Sequence, residues 1–144
     1  MKGHSHMCRI LARMRSINWA SDPTWVDAGT VLMGSITVPS EIRRPADNGD
    51  DRLEIDVIGP EASERCPGVL AELPGLLLSL ADLRQAALRA APREWTEHFG
   101  QPDLWLMAIE FEPTVTRLVF DFGDLDSLIL TIAPSGERSV SVRP

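Results

Sequence analysis

The C-terminal third of the chain constrains the fold more than any other stretch. It contains four short runs rich in β-branched and aromatic residues, at 104–112, 115–122, 128–132 and 138–142. Runs of this length, bounded by Pro, Gly, Asp and Ser, are typical of β-strands joined by short connections. The sequence therefore predicts an antiparallel four-stranded meander that supplies most of the core.

Alternation along the first of these runs assigns its side chains to the two faces of the sheet. One predicted face carries the odd-numbered residues Trp105, Met107, Ile109 and Phe111. The other carries the even-numbered residues Leu104, Leu106, Ala108, Glu110 and Glu112. A sheet of this kind packs one face on helices and turns the other toward water. The two leucines on the second face predict that it is partly covered as well.

Two strands are predicted upstream of the meander, at Thr30 to Val38 and at Leu53 to Ile58. The first puts Leu32, Ile36 and Val38 on one face. The second alternates, with Glu54 and Asp56 predicted to point outward, and Pro39 and Gly59-Pro60 end the two strands. The turn signal Asn48-Gly49 lies in the loop between them. We therefore expect a hairpin with a long tip.

The main helix is predicted from Pro74 to about Ala91, on the basis of a leucine stripe with helical spacing. Residues 60–72 contain two prolines and a glycine, and are predicted to be irregular. Pro92 disfavours helical geometry in the residue before it, so the helix should end there. A short second helix is expected at 93–99.

The length of 144 residues suits one domain. Residues 1–18 are interpreted as a tag-like or flexible leader with His4 and His6, and residues 19–144 as a single α+β domain. Its predicted architecture has two layers: a mostly antiparallel sheet of about six strands, packed on the main helix and the short one. No apolar run reaches the roughly 20 residues that span a bilayer, so no membrane segment is expected.

The charge distribution restricts the classes of partner. The chain has 14 basic and 21 acidic residues, and residues 1–18 contain four of the basic ones and no acid. Residues 19–144 thus carry ten basic against 21 acidic groups, a net charge of −11. Such a domain is not expected to bind nucleic acid, whereas it would attract a basic protein. The two cysteines, Cys8 and Cys66, form no disulfide pattern, which favours a cytoplasmic location.

Candidate catalytic and metal-binding groups are few. Asp121, Asp124 and Asp126 lack the glutamate that a calcium loop needs, so a solvated turn is expected there. The pair Glu94 and His98 lacks the second histidine of a zincin motif. Cys66 lies among acids, which raise the pKa of a thiol and disfavour a nucleophile. The sequence therefore predicts no catalytic residues, no metal site and no cofactor.

The order of elements, with meander strands Trp105–Phe111 and Arg117–Phe122, resembles several small acidic α+β families of bacteria. Some of these are uncharacterised, and others are immunity proteins of polymorphic toxin systems. The resemblance covers residues from about 25 to 142. It implies a non-catalytic protein that presents carboxylates to the cationic cleft of a toxin domain and blocks it.

Eight carboxylates are expected to contact such a partner because they lie in the two acid-rich regions, 47–64 and 103–126. They are Asp47, Asp50, Asp51, Glu110, Glu112, Asp121, Asp124 and Asp126. One alternative is a structural domain that forms homo-oligomers through an edge strand such as 138–142. Another is a small-ligand protein or enzyme with a pocket between helix and meander. The polar groups of that pocket would be Glu94, His98, Asp121 and Asp124.

Overall fold

The computed structural model describes residues 26–27, 31–37, 52–94, 104–121 and 126–143. These residues form one seven-stranded sheet with two helices packed on one face. The helices are α1 (Ala62–Leu78) and α2 (Leu80–Ala90). The strands are β1 (Val26–Asp27), β2 (Val31–Thr37), β3 (Arg52–Ile58), β4 (Trp105–Phe111), β5 (Thr116–Asp121), β6 (Ser127–Ile132) and β7 (Arg138–Arg143).

The predicted α+β architecture is confirmed, with β1 as a two-residue addition at one edge of the sheet. The strands lie side by side in chain order. The hairpin of β2 and β3 and the meander from β4 to β7 are antiparallel. β3 and β4 are parallel, and α1 and α2 form the crossover between them. A parallel pair needs such a long connection, which here brings the helices onto the sheet.

The prediction that residues 60–72 are irregular is wrong, because α1 begins at Ala62 and continues through Pro67 and Pro74. Each proline removes one helical hydrogen bond. A buried stripe offsets that loss, because its members recur every three or four residues and pack on the sheet. The stripe consists of Ala62, Cys66, Val69, Leu73 and Leu77.

The predicted main helix is divided at Ser79, where α1 and α2 meet at an angle of 74°. α2 ends at Ala90, and Ala91 is extended before Pro92, as predicted. Arg93 and Glu94 are helical, and the rest of the predicted short helix lies outside the described residues. No single described helix is long and apolar enough to cross a bilayer, whereas α1 and α2 together meet that test of length and composition.

The main core lies between the helices and one face of the sheet. Leu53, Ile55 and Val57 of β3 are fully buried there, as is Phe120 of β5. Leu73 of α1 is buried in the same cluster. Helices and strands therefore share one apolar interior. The prediction that the meander supplies most of it is wrong for the described residues, because eight of the 18 buried residues of this cluster lie between 104 and 130.

A β-bulge in β4 reverses part of the predicted face assignment. The pairing with β5 shifts between Leu106 and Ala108, which leaves Met107 as the extra residue. Such a residue changes the phase of the alternation by one. Leu104 and Leu106 are therefore fully buried in the main core with Ile109, whereas Met107 is 42% exposed. The predictions that Trp105 and Met107 share a face with Ile109, and that the two leucines oppose it, are wrong.

Two glycines give a first test of the backbone geometry. Gly75 is exposed within α1, and a Cβ atom there would meet no atom within 4 Å. Because glycine inside a helix costs roughly 0.5–1 kcal/mol relative to alanine, we expect Gly75→Ala to raise the free energy of unfolding by that amount. Gly136→Ala should lower it, since φ at Gly136 is +88°. Urea denaturation measures both changes, and a loss of stability in Gly75→Ala would contradict a continuous α1.

Candidate functional site

The face of the sheet opposite the helices, called here the open face, carries most of the charged side chains of the strands. No described helix packs on it. The parallel register places Asp56 of β3 beside Glu110 of β4, and Glu54 beside Ala108. On the other side of Asp56 lies Met33 of β2, which is 38% exposed. Three carboxyl groups thus meet on two adjacent strands.

Asp56 is the unusual member of this group. It is only 8% exposed, and its Oδ1 atom is buried with no hydrogen-bond partner among the residues that the structure describes. Burial raises the pKa of Asp56 from 3.8 to about 7, and the charge of Glu54, a hydrogen bond with Glu54 and the charge of Glu110 add to the effect. A substantial fraction of the protein therefore holds a proton on Asp56 near neutral pH.

Glu110 forms a bidentate ion pair with Arg143 of β7. Nη1 donates to Oε2 at 2.8 Å, and Nη2 donates to Oε1 at 3.1 Å. β5 and β6 lie between the two strands, so a flat sheet would separate the two backbones by about 14 Å across the strands and by about 13 Å along them. The twist of the sheet must therefore bring these corners of the open face toward each other. The hydrogen bond with Glu110 raises the pKa of Arg143.

A small apolar cluster occupies the middle of the open face. Ala108, Val119 and Ile129 lie in one row across β4, β5 and β6, with exposures of 6%, 7% and 2%. The Arg143 side chain starts on one side of this row, and its partner Glu110 lies on the other. The ion pair therefore spans the cluster. The predicted cover of this face rested on Leu104 and Leu106, and both lie in the main core on the other face.

Four of the eight carboxylates predicted to bind a partner lie within the described residues. Glu110 is paired with Arg143, and Glu112 with Arg117 at 2.7 Å. Asp121 is half-buried at the end of β5, and Asp126 is exposed just before β6. The other four, Asp47, Asp50, Asp51 and Asp124, lie outside the described residues.

The prediction omitted Glu54 and Asp56 from the site, although both were expected to point outward from their strand. The signal was present in the alternation Leu53-Glu-Ile-Asp-Val57, which puts both acids on one face. Their proximity to Glu110 depends on the pairing of β3 with β4. Local alternation gives no information about that pairing.

A groove of about 600 Å³ lies at the end of the sheet, between α1 and the turns that connect β4 to β5 and β6 to β7. Its apolar lining includes Val69 and Leu76 of α1 and Ile132 of β6. Glu64 and Glu72 of α1 also line it. The volume falls in the range of about 300–1,000 Å³ that is usual for ligand sites.

Arg65 lines the groove and forms hydrogen bonds to three backbone carbonyl oxygens. Its Nη1 donates to the carbonyl oxygens of Ile58 at 2.7 Å and Pro60 at 3.4 Å, and its Nη2 donates to that of Phe111 at 3.2 Å. Ile58 and Phe111 are the last residues of the parallel strands β3 and β4. The guanidinium group thus supplies hydrogen-bond donors to backbone oxygens at the ends of β3 and β4. Its role there is to stabilise the fold.

The alternative site of Glu94, His98, Asp121 and Asp124 is not assembled by the described residues. Glu94 is exposed after α2, Asp121 lies on the open face, and neither lines the groove. His98 and Asp124 lie outside the described residues. A pocket between helix and meander does exist, but other residues line it.

The remaining candidates are the Cys66 thiol, a metal site and the edge strand β7. Cys66 is buried in α1, and burial raises the pKa of its thiol, which keeps it protonated. No group of three His, Cys, Asp or Glu within the described ranges could hold a metal ion. β7 is an edge strand, as the oligomeric alternative requires, and its pairing with a second copy stays a prediction.

The open face and the groove adjoin at Glu112, which follows β4, lines the groove and pairs with Arg117. Compared with known proteins, the chain matches no protein-family model, no curated protein and no solved structure.

Proposed function

We propose that this chain is a non-catalytic binding protein that holds a basic protein partner against its open face. The partner in this proposal is a bacterial toxin domain, whose cationic active site the bound chain blocks, as an immunity protein does. Support comes from the acidity of residues 19–144 and from the carboxyl groups that β3 and β4 bring together. A complementary field of this kind accelerates encounter with a basic partner.

The observation that carries the proposal is the environment of Asp56. A buried carboxyl oxygen without a donor is costly, and native proteins rarely leave one. An ammonium or guanidinium group from a partner would supply the missing donor once neighbouring side chains move aside. It would also favour the ionised form of Asp56, and Glu54 beside it is exposed and able to take part.

The two ion pairs of the open face fit the same role. Glu110 and Glu112 are already held by Arg143 and Arg117, so their positions are fixed before a partner arrives. Pre-ordered side chains lose less conformational entropy on binding. Glu54 and Asp56 have no arginine or lysine partner among the described residues, which leaves them to attract an external cation.

Affinity purification from the bacterial host, followed by mass spectrometry, tests this proposal. We expect the tagged chain to recover a basic protein. The double variant Glu54→Gln/Asp56→Asn should weaken that complex by at least about tenfold, since it removes charge at a buried contact. The control is Asp82→Asn/Glu137→Gln, which removes two exposed acids outside the open face and should leave binding unchanged. Failure to recover a basic protein, or equal loss in both variants, would refute the proposal.

A further inference from the structure

We propose that the groove between α1 and the two turns binds an amphipathic basic segment of the partner. In this arrangement an apolar side chain of the segment lies on the floor of the groove. A neighbouring lysine or arginine contacts the acidic rim on α1. The inference rests on the proposed function for the basic character of the partner, and it assigns a second contact surface with its own chemistry.

The floor of the groove is suited to an apolar side chain. Val69 and Phe111 are 8% and 2% exposed, so the base of the groove is packed. Leu76 and Ile132 are half-buried beside them and pack against the main core. Covering the exposed part of these side chains removes apolar surface from water and favours binding.

The rim of the groove is acidic. Glu64 and Glu72 are exposed on α1, eight residues apart, and neither forms an ion pair with a described residue. Glu112 also lines the groove and is held by Arg117. Two exposed carboxylates beside an apolar floor match a segment that alternates basic and apolar residues.

Arg65 does not make the groove an anion site. Its guanidinium donates to three backbone carbonyl oxygens and is therefore directed into the sheet end. Glu64 and Glu72 line the same groove, and the charge of Glu112 is compensated by Arg117. Repulsion by the two exposed acids outweighs attraction by one engaged arginine, so a cationic segment is favoured over an anionic one.

Three short peptides test the chemistry without knowledge of the native partner. They are acetylated and amidated Lys-Leu-Lys-Leu-Lys, Lys-Ser-Lys-Ser-Lys and Glu-Leu-Glu-Leu-Glu, titrated into the full chain labelled with ¹⁵N. We expect the first to bind at least about fivefold more tightly than the second, because its leucines bury apolar surface. It should shift the amide signals of Val69, Leu76 and Ile132. The acidic peptide should not bind.

Two glycines of α1 supply matched variants. Gly68 lines the groove and Gly75 does not, and a Cβ atom at either position would meet no atom within 4 Å. Gly68→Leu should fill the groove and weaken binding of Lys-Leu-Lys-Leu-Lys by at least about fivefold. Gly75→Leu should bind like the unmodified chain.

Three outcomes would overturn the inference: equal binding of the serine peptide, binding of the acidic peptide, or undiminished binding by Gly68→Leu. Glu54→Gln/Asp56→Asn leaves the groove intact and should keep the affinity for the peptide. Groove-dependent peptide binding with no partner recovered from the host would refute the open-face proposal alone. Recovery of a basic partner by the Gly68→Leu variant at full affinity would refute the groove proposal and leave the open-face proposal standing.

Discussion

Replacing Leu106 with alanine is expected to lower the free energy of unfolding by about 2–5 kcal/mol, the usual cost of emptying a buried leucine site. Met107→Ala is expected to change it by less than about 0.5 kcal/mol, as at other exposed positions. Leu106 is fully buried between the sheet and the helices, whereas Met107 is 42% exposed on the bulge. Urea denaturation of both variants measures the two changes.

The pair is informative because simple alternation along β4 predicts the opposite order. If Met107 lay on the same face as Ile109, its replacement would be the costly one. A larger loss in Met107→Ala than in Leu106→Ala would therefore show that β4 is continuous and has no bulge. The slope of free energy against urea should stay constant across the series, because a changed slope would indicate an altered denatured state.

The sequence of β4 explains why its phase could not be predicted. Residues Leu104 to Ile109 are apolar at every position, so either set of alternating residues could face the helices. Ile109 and Phe111 do face the core. Alternation counted from them toward Leu104 fails because the bulge changes the phase. Strand existence follows from composition, but the phase of a uniformly apolar run depends on its partner strand.

The error at α1 has a related cause. Pro60, Pro67 and Gly68 are strong local signals against a helix, and they predict irregular structure at 60–72 with the helix beginning only at Pro74. The helix forms because its buried stripe, which includes Val69 and Leu73, packs on β3. That contact exists only in the folded protein. Local propensity is a weak guide where tertiary packing opposes it.

Alternation predicts which acids of β4 point outward, but it does not predict which charged groups lie next to each other in the folded sheet. Acids at the outward positions of β4 could be identified from alternation, which placed Glu110 correctly. Its partner Arg143 lies 33 residues further along the chain. Glu110 lies beside Asp56 because β3 of the hairpin pairs in parallel with β4 of the meander. Pairing order and sheet twist, which no short pattern contains, therefore decide which charges meet.

The second large effect is expected from Asp56→Asn. Folding raises the pKa of Asp56 from 3.8 to about 7, so the native state binds more protons than the unfolded chain between these values. The stability that Asp56 contributes is thus fully present below about pH 4 and declines as pH rises through about 7. At about 1.4 kcal/mol per pKa unit, the loss amounts to roughly 2–4 kcal/mol. Asparagine carries no charge at any of these pH values and should not show the decline.

Denaturation of both proteins between about pH 4 and pH 8 measures the difference, and the effects of titrating groups distant from Asp56 cancel in the comparison. We expect equal stability near pH 4 and a variant more stable by roughly 2–4 kcal/mol at pH 8. Asp126→Asn is the control, because Asp126 is exposed and should leave the pH dependence unchanged. A difference between wild type and Asp56→Asn that stays constant with pH would show that Asp56 titrates normally.

Ionisation of Asp56 should change folding stability and affinity for the proposed partner in opposite directions. A cation placed beside Asp56 favours its ionised form, so binding must release the proton held at low pH. Affinity for a basic partner should therefore rise as pH increases through about 7, while the stability of the free chain falls. Asp56→Asn should remove both dependences. Loss of one without the other would mean that the partner and the proton do not compete for Asp56.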